Sequence, residues 1–237
     1  PSPANVDYSG ATPSPLPEVE SRIGDAQDLR DLVAAAHGAD SMNGDGIKVL
    51  FDYVMNHVDD TSPLFQAHRD WFIDCSGGND LCANTGWGQY CCFTQYLPDF
   101  DYRKPAAIDW SVSDALWWAQ EYDIDGYRLD AIKHVPDEWL TTFRGRFNTA
   151  FPNPAGGRFY LVGETYTWDE YNVLDHYLNP ETMLDGQFDF PFKKKACESI
   201  FANGGNFNDL RGWMDWRDKK KADGGPYLDP YYMSTFL

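Results

Sequence analysis

Continuous apolar runs alternate along this chain with stretches in which apolar positions recur every three or four residues. The first helical stretch follows Asp25, a suitable N-cap, with Leu29, Leu32, Val33 and Ala36 on one face and Gly38 at the stop. After a polar loop, Gly46 to Val54 carries Ile47, Val49, Leu50, Phe51 and Val54, which predicts a buried parallel strand. Helical spacing returns at Ser113 to Tyr122, with Ser113 as cap and Leu116, Trp117 and Ala119 facing a core, and a strand over Ile124 to Asp130 follows at once. Trp139, Leu140, Phe143 and Phe147 predict a helix over Asp137 to Phe147, and Phe159 to Glu164 reads as a third strand. Beyond it come a weaker strand at Met183 to Phe190, a helix at Asn208 to Trp216 and the start of another strand at Tyr231 to Leu237. Such alternation predicts an α/β fold with parallel strands.

Two segments break the alternation. Pro1 to Glu18 is rich in Pro and Ser and reads as irregular. From Asn56 to about Lys104 periodicity gives way to Gly, Asn, Asp and four clustered cysteines, the pattern of an inserted lobe. The expected organisation is therefore an α/β part over residues 1–55, an inserted lobe over 56–104 and a second α/β part over 105–237. About thirty residues separate Asp130 from Glu164, the length of one strand–helix–strand step, so the two acids should end neighbouring parallel strands. The longer gap from Asp52 to Asp130 contains the lobe.

Composition narrows the function classes. A net charge of −18 repels nucleic-acid phosphates and anionic lipid surfaces, which excludes neither sugars nor other neutral ligands. The runs Lys193 to Lys195 and Lys219 to Lys221 are too short to reverse that field and read as solvated faces near helix ends. No apolar run approaches a membrane span, and the first residues lack the basic-then-apolar order of a signal peptide. Aromatic residues make up 16% of the chain, enough for core and for sugar-stacking platforms alike. Cys75, Cys82, Cys91 and Cys92 lie close together, whereas Cys197 stands apart. Two disulfides are expected from the four, with adjacent Cys91 and Cys92 taking different partners. Zinc ranks lower, because the spacings are not C-x-x-C and no histidine is near in sequence. Cys197 would be a free thiol or have its partner outside this chain.

The candidate chemistry sits at the strand ends. Arg128 and Asp130, two apart on a strand, project to one face, and a guanidinium there favours the ionised carboxylate that a glycosidase nucleophile needs. An isolated R-x-D would more often be a structural ion pair. Glu164 ends the apolar run Phe159 to Gly163, where desolvation raises a carboxyl pKa and keeps a proton available for donation. One carboxylate held charged and one held neutral, about 5 Å apart, would act through a covalent intermediate with retention of configuration. His57 and His134 each follow a strand-end motif, at the end of a parallel barrel where polar side chains line the site.

With these residues assembled, the chain resembles the catalytic region of the α-amylase family of glycoside hydrolases. Asp52-Tyr53-Val54-Met55-Asn56-His57, Gly126 to His134 and Gly163-Glu164 match three of its motifs in order, and Leu97-Pro98-Asp99-Phe100 resembles the extra motif of its lobe. The resemblance implies a (β/α)₈ barrel, incomplete here (about strands 3 to 7), with the irregular Cys-rich lobe inserted after barrel strand 3. It implies Asp130 as nucleophile and Glu164 as acid/base, His57 and Arg128 around the sugar under attack, and Lys133 and His134 on the leaving side. Asp52 becomes a structural acid near the site. A structural Ca²⁺ is implied on the side chains of Asn56 and Asp99 and the backbone carbonyl of His134, with Asn79, Asp80 or Asn84 as weaker additional candidates.

The expected substrate is starch or a related α-glucan cleaved at internal α-1,4 bonds by an extracellular, secreted enzyme, expected to be a monomer without nucleic-acid or membrane partners. The alternatives are a glucanotransferase of the same family and a non-catalytic glucan-binding fragment. The family's fourth motif, with its third carboxylate, is not found before Leu237, and Tyr232 to Leu237 resembles the strand leading into it. A partial product with little hydrolytic activity of its own is therefore expected.

Overall fold

The computed structural model describes residues 19–41, 44, 46–75, 78, 80–86, 88–152, 157–168, 171–222 and 229–235. The irregular opening segment, Asn79 and the last two residues of the predicted final strand lie outside them. Five strands, β1 (Leu50–Tyr53), β2 (Gly126–Leu129), β3 (Tyr160–Gly163), β4 (Gly186–Phe188) and β5 (Met233–Ser234), form one all-parallel sheet in chain order. Helices between them give the β/α alternation of an open part of a (β/α)₈ barrel.

The strands are shorter than the apolar runs that predict them. Among the described residues β1 pairs with β2 alone, and Leu50, Ile47 and Val54 remain exposed, so β1 is not the buried strand its apolar run predicts. Close approach at the sheet centre depends on glycine. A Cβ on Gly126 would lie 2.4 Å from the Tyr160 carbonyl oxygen, and one on Gly163 would lie 2.5 Å from Leu184 Cδ1, which leaves no room for a side chain just before Glu164.

Helix Ala26–His37 starts where its cap predicts: the Asp25 carboxylate accepts from the backbone N–H groups of Gln27 and Asp28, and the Asp28 side chain accepts from that of Asp25. Its predicted apolar face is only partly covered, with Val33 buried but Leu32 60% exposed. Helix Pro105–Tyr122 begins at Pro105, not at Ser113, because proline at the first helical position has no N–H to lose and a preset φ. Ser113 is thus interior and does not cap.

Helix Asp137–Ala150 buries Trp139, Leu140, Phe143 and Phe147 completely or nearly so. The Phe143 and Phe147 rings pack on Tyr127 of β2 and Phe147 also on Phe159 before β3, with Phe143 and Phe147 stacked at 4.1 Å. Arg144 of the same helix is fully buried, an arrangement its sequence position does not predict. Its guanidinium donates to the Phe159 and Met183 carbonyls and pairs with Asp185 at 2.5 Å, tying the helix to the entries of β3 and β4. Removing one partner of such a buried pair costs about 3–5 kcal/mol, because the other charge is stranded.

Between β1 and helix Pro105–Tyr122 the described residues are irregular apart from short helices at Pro63–Ala67 and Cys82–Thr85 and a 3₁₀ turn at Arg69–Trp71. Cys75 is bonded to Cys92 and Cys82 to Cys91, so the adjacent cysteines do take different partners, while Cys197 is a half-buried free thiol. Among the described residues, no helix is long and apolar enough to cross a membrane.

Candidate active site

Register places the acids. Asp52 of β1 is opposite Arg128 of β2, and Leu129 is opposite Gly163 of β3, so the next residues, Asp130 and Glu164, emerge side by side at the carboxyl ends. Backbone bonds hold that alignment: Asp130 N–H donates to the Tyr53 carbonyl, Glu164 N–H to that of Leu129, and Ile132 N–H to that of Glu164. The last of these follows a reversal at Ala131, whose φ of 48° lies in the left-handed region.

Arg128 is the hub of the site. Its Nη1 lies 2.6 Å from Asp52 Oδ1 and 2.9 Å from Asp130 Oδ1, and its Nη2 lies 2.5 Å from Glu164 Oε2. The sequence pairs Arg128 with Asp130 alone; the guanidinium in fact bridges both candidate catalytic carboxylates. Burial raises the Glu164 pKa above the ordinary value, helped by its hydrogen bond with Asp130 and opposed by the charge of Arg128. Glu164 therefore retains a proton to higher pH than a solvated glutamate.

A cavity of about 390 Å³ opens over these acids and is lined by Phe93, Asp130, Lys133, His134, Glu164 and Tyr166 together with Ala131. Lys133 Nζ donates to the Tyr166 carbonyl at 3.0 Å and sits over the Tyr166 ring. His134 is buried, its Nδ1 3.0 Å from the Gly88 carbonyl oxygen. Phe93 stands between the two motif histidines, 5.1 Å from the His57 ring and 4.9 Å from that of His134. Burial lowers the pKa of both imidazoles, against the charge of Asp130 at His57 and chiefly the Gly88 carbonyl at His134.

The structure thus gathers Asp52, Arg128, Asp130 and Glu164 into one ionic group, with Lys133 and His134 on the adjoining wall. Phe93 and Tyr166 are additional lining residues. The sequence holds a signal for Tyr166, two positions after Glu164 on the same loop, but none for Phe93, which arrives from the lobe.

Asn56 and Asp99 also meet: both are buried, and Asn56 Nδ2 donates to Asp99 Oδ2 at 2.8 Å. Burial pushes the Asp99 carboxyl up to about 7 despite hydrogen bonds from Asn56 and the Phe93 N–H. Among the described residues no ion pair reaches Asp99. A buried carboxylate raised toward neutrality, next to an amide side chain whose oxygen is also a hard donor, fits a hard cation. Asp80 and Asn84 differ in being exposed, and Asn84 Nδ2 donates to the Gly78 carbonyl. A second polar group is softer: Cys82, Cys91 and His134 converge, which brings a histidine distant in sequence near two of the clustered cysteines.

Residues 12–223 match the family profile described as the alpha amylase catalytic domain. Alpha-amylase 3 of Dictyoglomus thermophilum is 26% identical over 217 residues, covering 83% of this chain and 40% of that protein. The intracellular maltogenic amylase of Bacillus subtilis is 26% identical over 183 residues, covering 70% of this chain and 29% of that protein. Among solved structures, the alpha-amylase of Geobacillus thermoleovorans complexed with acarbose superimposes with a TM-score of 0.72 at 24% identity, over 92% of this chain and 45% of that one. The chain spans less than half the length of each of these relatives. One expectation is corrected here. An extracellular location rested on the clustered cysteines, and a relative that is intracellular by name overturns it, since these motifs do not carry a chain out of the cell.

Proposed function

The chain belongs to the alpha-amylase family through its catalytic domain, and from that premise we propose that the native gene product is a retaining hydrolase of internal α-1,4 bonds in starch and related α-glucans. One observation supports the reading: a single guanidinium holds Asp130 at 2.9 Å and Glu164 at 2.5 Å. Two carboxyls gathered on one guanidinium favour the short separation, about 5–5.5 Å, at which retaining enzymes work.

In the first step the Asp130 carboxylate attacks the anomeric carbon, the glycosidic C–O bond breaks, and Glu164 gives its proton to the departing oxygen. In the second, water attacks the same carbon, Glu164 takes the water's proton, and the ester bond to Asp130 breaks. Arg128 keeps both carboxyls aimed at one point, with Asp52 fixing its other side. His57 is assigned to the sugar under attack, and Lys133 and His134 to the leaving side, where they line the cavity with Tyr166. Among the described residues β1 and β5 each pair on one side, and the 237 residues in isolation are proposed to hydrolyse little.

Hydrolysis and transfer differ only in whether water or a sugar hydroxyl attacks the intermediate. Incubation with soluble starch should release linear malto-oligosaccharides and new reducing ends. Cyclic or elongated glucans would instead identify a glucanotransferase, and glucan binding without new reducing ends a non-catalytic member.

A structural Ca²⁺ is proposed on Asn56 Oδ1, the Asp99 carboxylate and the His134 carbonyl oxygen, where it would neutralise the buried acid and join the lobe to the end of β2. Calcium at a hundredfold its dissociation constant should stabilise the fold by about 2.7 kcal/mol. Thermal unfolding with calcium and with a chelator measures this. Asp99→Ala should remove the difference, and equal melting temperatures for the unmodified protein in both conditions would contradict the assignment.

A further inference from the structure

Behind the wall of the cavity, the sulfurs of Cys82 and Cys91 and a ring nitrogen of His134 lie within 4.8 Å of one another. All three residues are buried, at 0%, 1% and 3% exposure, so their convergence is not a chance meeting of mobile surface groups. The loop that the Cys82–Cys91 bond closes is also fastened to the site. Its Gly88 carbonyl oxygen lies 3.0 Å from His134 Nδ1 and 3.1 Å from Cys91 Sγ, and Gln89 Nε2 donates to the Val135 carbonyl. His134 lines the cavity as well, which sets this group beside the candidate active site.

As a disulfide the two sulfurs are poor ligands. Reduced, they are two thiols beside an imidazole, a soft donor set of the kind that holds zinc with one coordination position left open. We propose that Cys82, Cys91 and His134 form a redox-gated site for a soft divalent cation, closed while the disulfide is intact and opened when a dithiol reductant cleaves it. Two electrons and two protons pass from the dithiol to the bridge, which becomes two thiols, while the dithiol leaves as its own disulfide. Cation binding then forms two metal–sulfur bonds and one metal–nitrogen bond and releases both thiol protons. The cation site does not rest on the function proposed above.

Cobalt(II) is the probe, added to the purified protein without oxygen, because thiolate–cobalt bonds absorb in the near ultraviolet. The reduced protein should give this band at one ion per chain and the oxidised protein should not, although Cys197 is a thiol in both. Cys75→Ser with Cys92→Ser should keep the band, Cys82→Ser with Cys91→Ser should abolish it, and His134→Gln should shift the visible cobalt spectrum. A band that is equal before and after reduction, absent throughout, or retained without Cys82 and Cys91 overturns the proposal. Should a double variant not fold, the reduced-minus-oxidised spectrum of the unmodified protein and the His134→Gln spectrum decide, and no change in either overturns it. Cobalt binding is expected even if starch is not the substrate, so the two readings fail separately.

Discussion

Asp130→Asn is expected to lower turnover of soluble starch by about 10⁴-fold or more, the scale expected when a covalent nucleophile is lost. The amide has the size of the carboxylate but cannot form the glycosyl ester, and Arg128 keeps two carboxylate partners, Asp52 and Glu164, so the site should stay assembled. Binding should survive where catalysis does not. Steady-state kinetics in the native gene product, alongside glucan binding and melting temperature, separates these effects. Near-normal turnover in a folded variant would remove Asp130 from the mechanism.

Glu164→Gln should cost about 10²–10⁴-fold on starch, the usual range for a general acid. The loss should be smaller on glycosides whose leaving group needs no proton, since only protonation of the departing oxygen is removed from the first step. The pH profile sharpens the test. Burial raises the Glu164 pKa, so the acid form persists above the ordinary glutamate value and activity should fall as pH rises through the raised folded value. Glu164→Gln should flatten that alkaline limb. The linked stability has the same sign: the folded state binds the extra proton, so this contribution is fully present below the unfolded pKa and is lost as pH rises through the folded one. An unchanged alkaline limb in the variant would assign it to another group.

Much of this arrangement is legible in sequence because it depends on local periodicity. The strand-end positions of Asp130 and Glu164 follow from apolar runs and from the length of one β/α step, and the cap of helix Ala26–His37 follows from Asp25. What escapes the sequence is set by contacts across long separations. Nothing near Arg144 indicates that its guanidinium is buried against Asp185, and nothing near Arg128 indicates that it reaches Glu164 as well as Asp130. Phe93 lies in a stretch without periodicity, so its place between His57 and His134 depends on how the lobe folds over the sheet. Leu32 errs in the opposite direction: helical spacing puts it on the apolar face, yet spacing cannot say how much of that face is covered.

The central claim, a retaining reaction through an ester on Asp130, is tested most directly by trapping that ester. An activated fluorosugar of α configuration, with a second fluorine that slows hydrolysis of the intermediate, should add one sugar to the native gene product. Mass spectrometry of the digested adduct should locate the sugar on the peptide containing Asp130, whereas a sugar on a different carboxylate would contradict the account.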